Sequence, residues 1–406
     1  MTPAPHPPEW RLVNATLVLP DRLVEGGAVH VRDGRIDAVG KRGELPPFDG
    51  PTVDAAGHFA SPGCIDMHVH GGGGADFMDG SPGAFATAIG AHLRHGTTGI
   101  VPTSTVARHE QTLRFLELCR AFRNIEPVVP TARVLGAHLY GPYFAEEKVG
   151  CHPKESARPP TPAEYEQYLA FAGDGALLTA TCAPELPGAA DFYRAARSRG
   201  VRLNAGHSNA SWDEMAAAHA LGVRHVDHFF CAMSNYVSVR SRFGPPMRGG
   251  MMEYVLASDD LTTELIADGR HLAPELLRFA LKMLGVDRVA LVTDCMRALD
   301  EPPGAYTFGA LDGGEPILSD GSVGLMSDGK SLASSVRGMD FMVRHMHKVA
   351  GIDLPTAVRM ASLTPARIVG VDEELGSLEV GKRADVVLLD ADFKVDGVWI
   401  DGRRGL

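Results

Sequence analysis

Between residues 59 and 365 the chain repeats one pattern eight times, an apolar strand-like run followed by a loop and an amphipathic helical stretch. The eight runs are GCIDMHVH, GIVPTST, VLGAHLYGP, LLTATCAPE, VRLNAGHS, HVDHFF, LTTELIADG and VALVTD. Stretches with helical periodicity, such as HEQTLRFLELCRAFR and Ala273–Met283, separate them. Eight parallel strands alternating with helices predict an α/β fold, a (β/α)8 TIM-like barrel.

The flanks read differently. Residues 9–57 hold short β-like runs (RLVNATLVL, GAVHVRDGRIDAVG) punctuated by Gly and Asp turns, and GSLEVGKRADVVLLD and KVDGVWIDGR repeat that style near the C-terminus. The two ends are expected to fold together as one small β-sandwich, residues 1–58 plus 366–406, beside a barrel over 59–365. A chain of 406 residues has room for one large domain and a small one.

Barrels of this kind place their active sites at the C-terminal ends of the strands, and the chemistry of this chain collects there. The first run ends in His68-Val69-His70 and then Gly71–Gly74. Residues two apart on a strand share a face, so both imidazoles can reach one metal ion. Three later runs end in further candidate ligands, His207, His228 and Asp294. His207 precedes Ser208-Asn209-Ala210-Ser211, a helix start. His225, at odd spacing from His228, is expected to face the other side of its strand. Asp294 closes a mostly apolar run, where a lone carboxylate needs a partner or a purpose.

Composition removes several function classes. A formal net charge of −11 argues against general nucleic-acid binding, although local positive groups could still hold a small anion. MTPAPHPPEW has no basic region followed by an apolar one, so no secretory signal is expected. No run of about 18 apolar residues is present to span a membrane. The six cysteines (Cys64, Cys119, Cys151, Cys182, Cys231, Cys295) form no Cys-x-x-Cys pair, which points to a reducing cytoplasm.

The segments PGCIDMHVHGGGGADFMD, LGAHLYGPYFAEEKVGCHP, LNAGHSNASWDEM, HFFCAMSN, LIADGRH, LVTDCM and ASLTPARIVGVDEELGSLEVGKRADVVLLD together resemble the amidohydrolase superfamily, and within it the N-acetylglucosamine-6-phosphate deacetylases. The resemblance covers nearly the whole chain. It implies metal-dependent deacetylation of an N-acetyl amino-sugar 6-phosphate in a homodimer. Asp294 would be the general base that activates the attacking water and later protonates the leaving amine, and His207 and His228 would bind the metal. His271 would touch substrate near its phosphate or the reacting amide. His152 matches a substrate-contacting histidine often supplied by the neighbouring subunit, and Ala232 follows a position that helps hold the sugar phosphate.

Three departures bear on that resemblance. The third run reads His138-Leu139-Tyr140-Gly141-Pro142, placing Tyr140 where the family has a metal-binding Glu. A phenol with a pKa near 10 is a poor replacement for a carboxylate. Cys231 stands where an Asn is usual, and the expected arginine is out of register, with Arg240 and Arg242 both near. The remaining donors suggest one ion, Zn²⁺ with Fe²⁺ or Mn²⁺ as alternatives, held by His68, His70, Asp294 and one of His207 or His228. The other histidine would orient substrate. Glu146 or Glu147 could replace the missing carboxylate or be solvated loop charges; the second reading is favoured. A deaminase or an N-acyl amino-acid hydrolase is the alternative reaction, but Ala210 stands where mononuclear deaminases carry a proton-shuttling Glu. A homologue that has lost catalysis is the third reading. Gly324–Ser331 satisfies G-x4-G-K-S but lies late, in a turn-rich stretch, so nucleotide binding is not expected.

Overall fold

The computed structural model describes residues 9–125 and 129–406. The stretch read as lacking a secretory signal lies, through residue 8, outside these. Eight strands carry the middle of the chain: β1 (Cys64–Val69), β2 (Thr97–Pro102), β3 (Ala137–Tyr140), β4 (Leu177–Thr181), β5 (Arg202–Ala205), β6 (Val223–Val226), β7 (Thr262–Ile266) and β8 (Val289–Val292). Each overlaps one of the eight apolar runs. β3 through β8 pair in sequence order, all parallel. β1 and β2 also pair in parallel, and Arg133–Val134 adds beside β2.

The two parallel sheets meet along both margins. Thr103 bridges to His138 on one side. On the other, the Asp294 amide donates to the His68 carbonyl at 2.9 Å, and the Thr293 hydroxyl donates to Asp66 at 2.5 Å. The result is a mixed α/β fold with a curled parallel sheet. Ile100, Leu139, Leu203, Val226, Leu265 and Val292 are buried in one cluster with Phe85, Phe115, Phe192, Met215 and Leu277 from the covering helices. The helix Trp212–Leu221 starts as its sequence suggests, with Ser211 accepting from the Glu214 amide while Glu214 accepts from the Ser211 amide.

Both chain ends enter one eight-stranded sheet. Trp10–Val18 pairs antiparallel with Leu23–Arg32 and parallel with Phe59–Pro62, which pairs antiparallel with Val386–Leu389. Trp10 seals this joint. Its ring lies 5.3 Å from that of Trp399, and its indole N–H donates to the Gly402 carbonyl at 2.6 Å. Trp10→Ala is therefore expected to cost about 3–5 kcal/mol, read as a lower denaturation midpoint at unchanged denaturant slope.

After β8, four antiparallel strands between Gly304 and Ser335 fold back over the strand ends. Gly324–Ser331 lies in the last hairpin of this insertion, whose strands Val323–Leu325 and Leu332–Ser335 pair directly. A phosphate-binding loop needs a strand-to-helix turn, so this segment is not one. No helix of the described residues is long and apolar enough to cross a membrane.

Candidate metal centre

His68 lies in β1 and His70 one residue beyond it, while His207, His228 and Asp294 each stand two residues past the ends of β5, β6 and β8. All three of the latter have positive φ, 46°, 23° and 46°. For a non-glycine residue this conformation costs on the order of 1 kcal/mol or more and persists only where its surroundings hold it. Such bends are invisible in the sequence, and they let residues from three separate strands converge.

His70 Nε2 lies 3.1 Å from Asp294 Oδ1, and His68 Nε2 lies 3.7 Å from the same oxygen. The donor atoms of these three residues all lie within 4.8 Å of one another. His68 Nε2 is fully buried and has no hydrogen-bond partner among the described residues. A buried imidazole nitrogen left bare costs stability unless something binds it, and a divalent ion among these donors fits that need.

His207 and His228 form a second group. His207 Nδ1 is 2.5 Å from the Lys148 carbonyl, and His228 Nδ1 is 3.2 Å from the Cys231 carbonyl. A carbonyl only accepts, so each Nδ1 carries its proton and each Nε2 presents a lone pair. The two Nε2 atoms lie 3.2 Å apart. Two imidazoles on one tetrahedral ion at about 2.0–2.1 Å would stand roughly 3.3 Å apart. Tyr140 intervenes: it is buried, its ring centroid lies 4.4 Å from His68 and 5.2 Å from His207, and its hydroxyl donates to His228 Nε2.

Electrostatics separate the groups. Burial alone would raise the Asp294 carboxyl, but the His70 hydrogen bond and the charges of His68 and His70 outweigh it and hold the group well below the usual range. Burial would lower His68, yet the adjacent Glu264 carboxylate lifts it to about 9 without metal. Burial pushes His228 down to about 4 and drives His207 well below its ordinary value, with the neighbouring histidines adding to both. Burial also raises the Tyr140 phenol, so it is neutral in this setting.

The other sequence candidates divide. His152 is buried beside the cluster, its ring 5.1 Å from His207 and 6.1 Å from His70. Its Nδ1 accepts from the Val106 amide at 3.2 Å, which leaves Nε2–H as a donor. This bond ties His152 into the cluster of its own chain. His271 is held by Asp268, 2.7 Å from its Nδ1, and the Asp268 bond and charge outweigh burial and raise it. Cys231 contributes its carbonyl, and Ala232, at φ 49°, accepts from the Ser208 amide at 3.1 Å. Arg240 is exposed on the helix Tyr236–Phe243 and makes no ion pair with the cluster among the described residues. Arg242 is taken by Glu214 at 2.7 Å. Glu146 is an exposed partner of Lys154, in keeping with a solvated charge.

His225 corrects an expectation: it is buried and reaches Glu264 on the same network as His68. The cause is that His225 sits within β6, whereas His228 follows the strand, where alternation no longer applies. Glu264 and Asp227 escaped the sequence reading. Both are charged residues inside apolar runs, the same signal that singled out Asp294.

The amidohydrolase family matches residues 59–405. The N-acetylgalactosamine-6-phosphate deacetylase of Escherichia coli O157:H7 is 34% identical over 379 residues, spanning 92% of this chain and 93% of its own. The crystal structure of N-acetylglucosamine-6-phosphate deacetylase from Pasteurella multocida superposes with a TM-score of 0.88 at 27% identity, covering 98% of this chain and 99% of that one. A mutant of the Mycobacterium smegmatis deacetylase, in complex with N-acetyl-D-glucosamine-6-phosphate, gives 0.86 at 29% identity, covering 98% and 100%. The chain belongs to the amidohydrolase family and is a homologue of the N-acetylglucosamine-6-phosphate deacetylases.

Proposed function

We propose that the chain is a metal-dependent hydrolase that deacetylates an N-acetyl amino-sugar 6-phosphate, breaking the amide C–N bond. The observation that carries this reading is the convergence of His68, His70 and Asp294 at the strand ends of a chain homologous to such deacetylases. These three residues, with one of His207 or His228, would hold one divalent ion, for which the imidazole-rich set favours Zn²⁺ over Fe²⁺ or Mn²⁺. When bound, the ion supplies Lewis-acid polarisation of the amide carbonyl and acidifies the attacking water.

The protein's own groups move the protons. Asp294, ionised at neutral pH, accepts a proton from the water as its oxygen bonds to the acetyl carbon. It returns that proton to the amine nitrogen as the C–N bond breaks, releasing acetate and the free amine. His152 Nε2–H is a donor for the substrate oxygens, while the histidine not bound to metal offers only a lone pair at Nε2 and can accept from a substrate hydroxyl. His271, raised by Asp268, favours an anionic group such as the phosphate.

The same proposal has the parallel sheet closing as a (β/α)8 barrel over 59–365. Residues 9–58 and 366–406 form one β-sandwich unit, which the shared terminal sheet supports. A homodimer follows from the family resemblance, and six free cysteines accord with the cytoplasm.

Acetate release from N-acetylglucosamine 6-phosphate and from its galactosamine epimer, followed by proton NMR, tests the reaction. Protein purified without chelators should carry about one equivalent of metal, lose turnover on chelation and regain it with zinc. Turnover that survives complete metal removal, or no acetate from either sugar, sinks the reading. A pH dependence follows as well. A proton on His68 must leave before the ion binds, and its metal-free pKa is about 9. Apparent zinc affinity should therefore fall by about tenfold for each pH unit below 9, read by chelator competition between pH 6 and 8.

A further inference from the structure

Beneath the cluster lies a fully buried carboxylate that the reaction as described does not use. Glu264, in β7, accepts from three directions. Oε1 bonds His68 Nδ1 and also takes the backbone N–H of His228 at 3.1 Å, and Oε2 faces His225 Nε2 at 3.2 Å. Its neighbour Asp227 is committed elsewhere, with one oxygen on the Thr181 hydroxyl at 2.7 Å and the other on the Asn204 amide at 2.9 Å.

We infer that Glu264 is the positioning residue of the metal centre, fixing His68 with its proton on Nδ1 so that Nε2 is the atom offered to the ion. An ionised carboxylate can only accept, so both imidazole nitrogens facing it must be donors. For neutral His68 that leaves Nε2 as the bare nitrogen, the atom found buried without a partner and 3.7 Å from Asp294. The same oxygen holds the His228 amide, where the chain turns at φ 23°. One carboxylate thus sets the imidazole of the first group and the backbone of the second. It also places a negative charge behind a ligand, which strengthens that ligand's bond to a divalent ion.

This inference rests on the reading of His68 as a ligand, and two variants separate them. Glu264→Gln keeps the size and one acceptor but removes the charge. Its zinc affinity, by chelator competition at pH 9, is expected to fall by about 10- to 100-fold, with turnover recovered at saturating zinc. The visible spectrum of its cobalt-substituted form should shift from that of the parent. A purely structural Glu264 would lower thermal stability and leave affinity and spectrum unchanged; that result overturns the inference. If His68→Gln keeps its metal, the ligand reading itself fails. If His68→Gln loses the metal while Glu264→Gln binds it as the parent does, only the role of Glu264 fails. Should Glu264→Gln not fold, the zinc protein labelled with ¹⁵N-histidine decides: a proton on His68 Nδ1 is expected, and a bare Nδ1 overturns the assignment.

Discussion

Asp294→Asn is expected to lower kcat by about 10³- to 10⁴-fold while leaving the circular dichroism spectrum unchanged. The substitution is nearly isosteric, so the packing of the residue after β8 survives. The backbone contacts at this point also survive, because the Asp294 amide donates to the His68 carbonyl and the Asp294 carbonyl accepts from Ser335 at 3.0 Å. What disappears is the charge. The carboxyl is held well below its ordinary value by His70 and His68 against the cost of burial. It is therefore a base at any neutral pH, and an amide cannot take its place. Metal analysis of the same variant apportions the loss. Full zinc content with lost turnover assigns it to proton transfer, and parallel loss of zinc assigns part of it to coordination. Turnover within tenfold of the parent would remove Asp294 from the mechanism.

The sequence made the candidate ligands legible because each lies at the end of an apolar run, where a titratable group stands out. His68 and His70 share a face by strand alternation, and the structure brings both to the same Asp294 oxygen. The order of β1 to β8 was also readable, since each strand is a short apolar run bounded by loop residues. Two features were not. The left-handed bends at His207, His228 and Asp294 depend on tertiary contacts and leave no trace in residue type. The network of Glu264, Asp227, His225 and Asn204 joins three strands, so no single window contains it. Its one local sign is a glutamate in the middle of LTTELIADG, inside the strand rather than at its end, where residue type alone does not show which partners it meets.

Tyr140→Glu is expected to change the metal stoichiometry from about one ion per chain to two. Tyr140 fills the space before the His207 and His228 Nε2 atoms and satisfies His228 with its hydroxyl. Its phenol, raised further by burial, supplies no negative charge to a cation. A glutamate is shorter, so it vacates volume beside two lone pairs already 3.2 Å apart, and it adds the charge that an ion there requires. Without metal that charge is buried and unpaired, which costs on the order of 3–5 kcal/mol. The metal-free variant should therefore melt lower than the parent and recover when zinc is added. Tyr140→Phe is the control. It keeps the volume and leaves His228 Nε2 unsatisfied, at a cost of about 1–3 kcal/mol, while zinc content stays near one. A Tyr140→Glu protein that binds one ion and melts alike with and without zinc would show that something other than this phenol limits the centre to one metal. A two-ion variant would identify Tyr140 as the residue that limits the centre to one ion, by keeping the histidine left off the first ion from taking up a second.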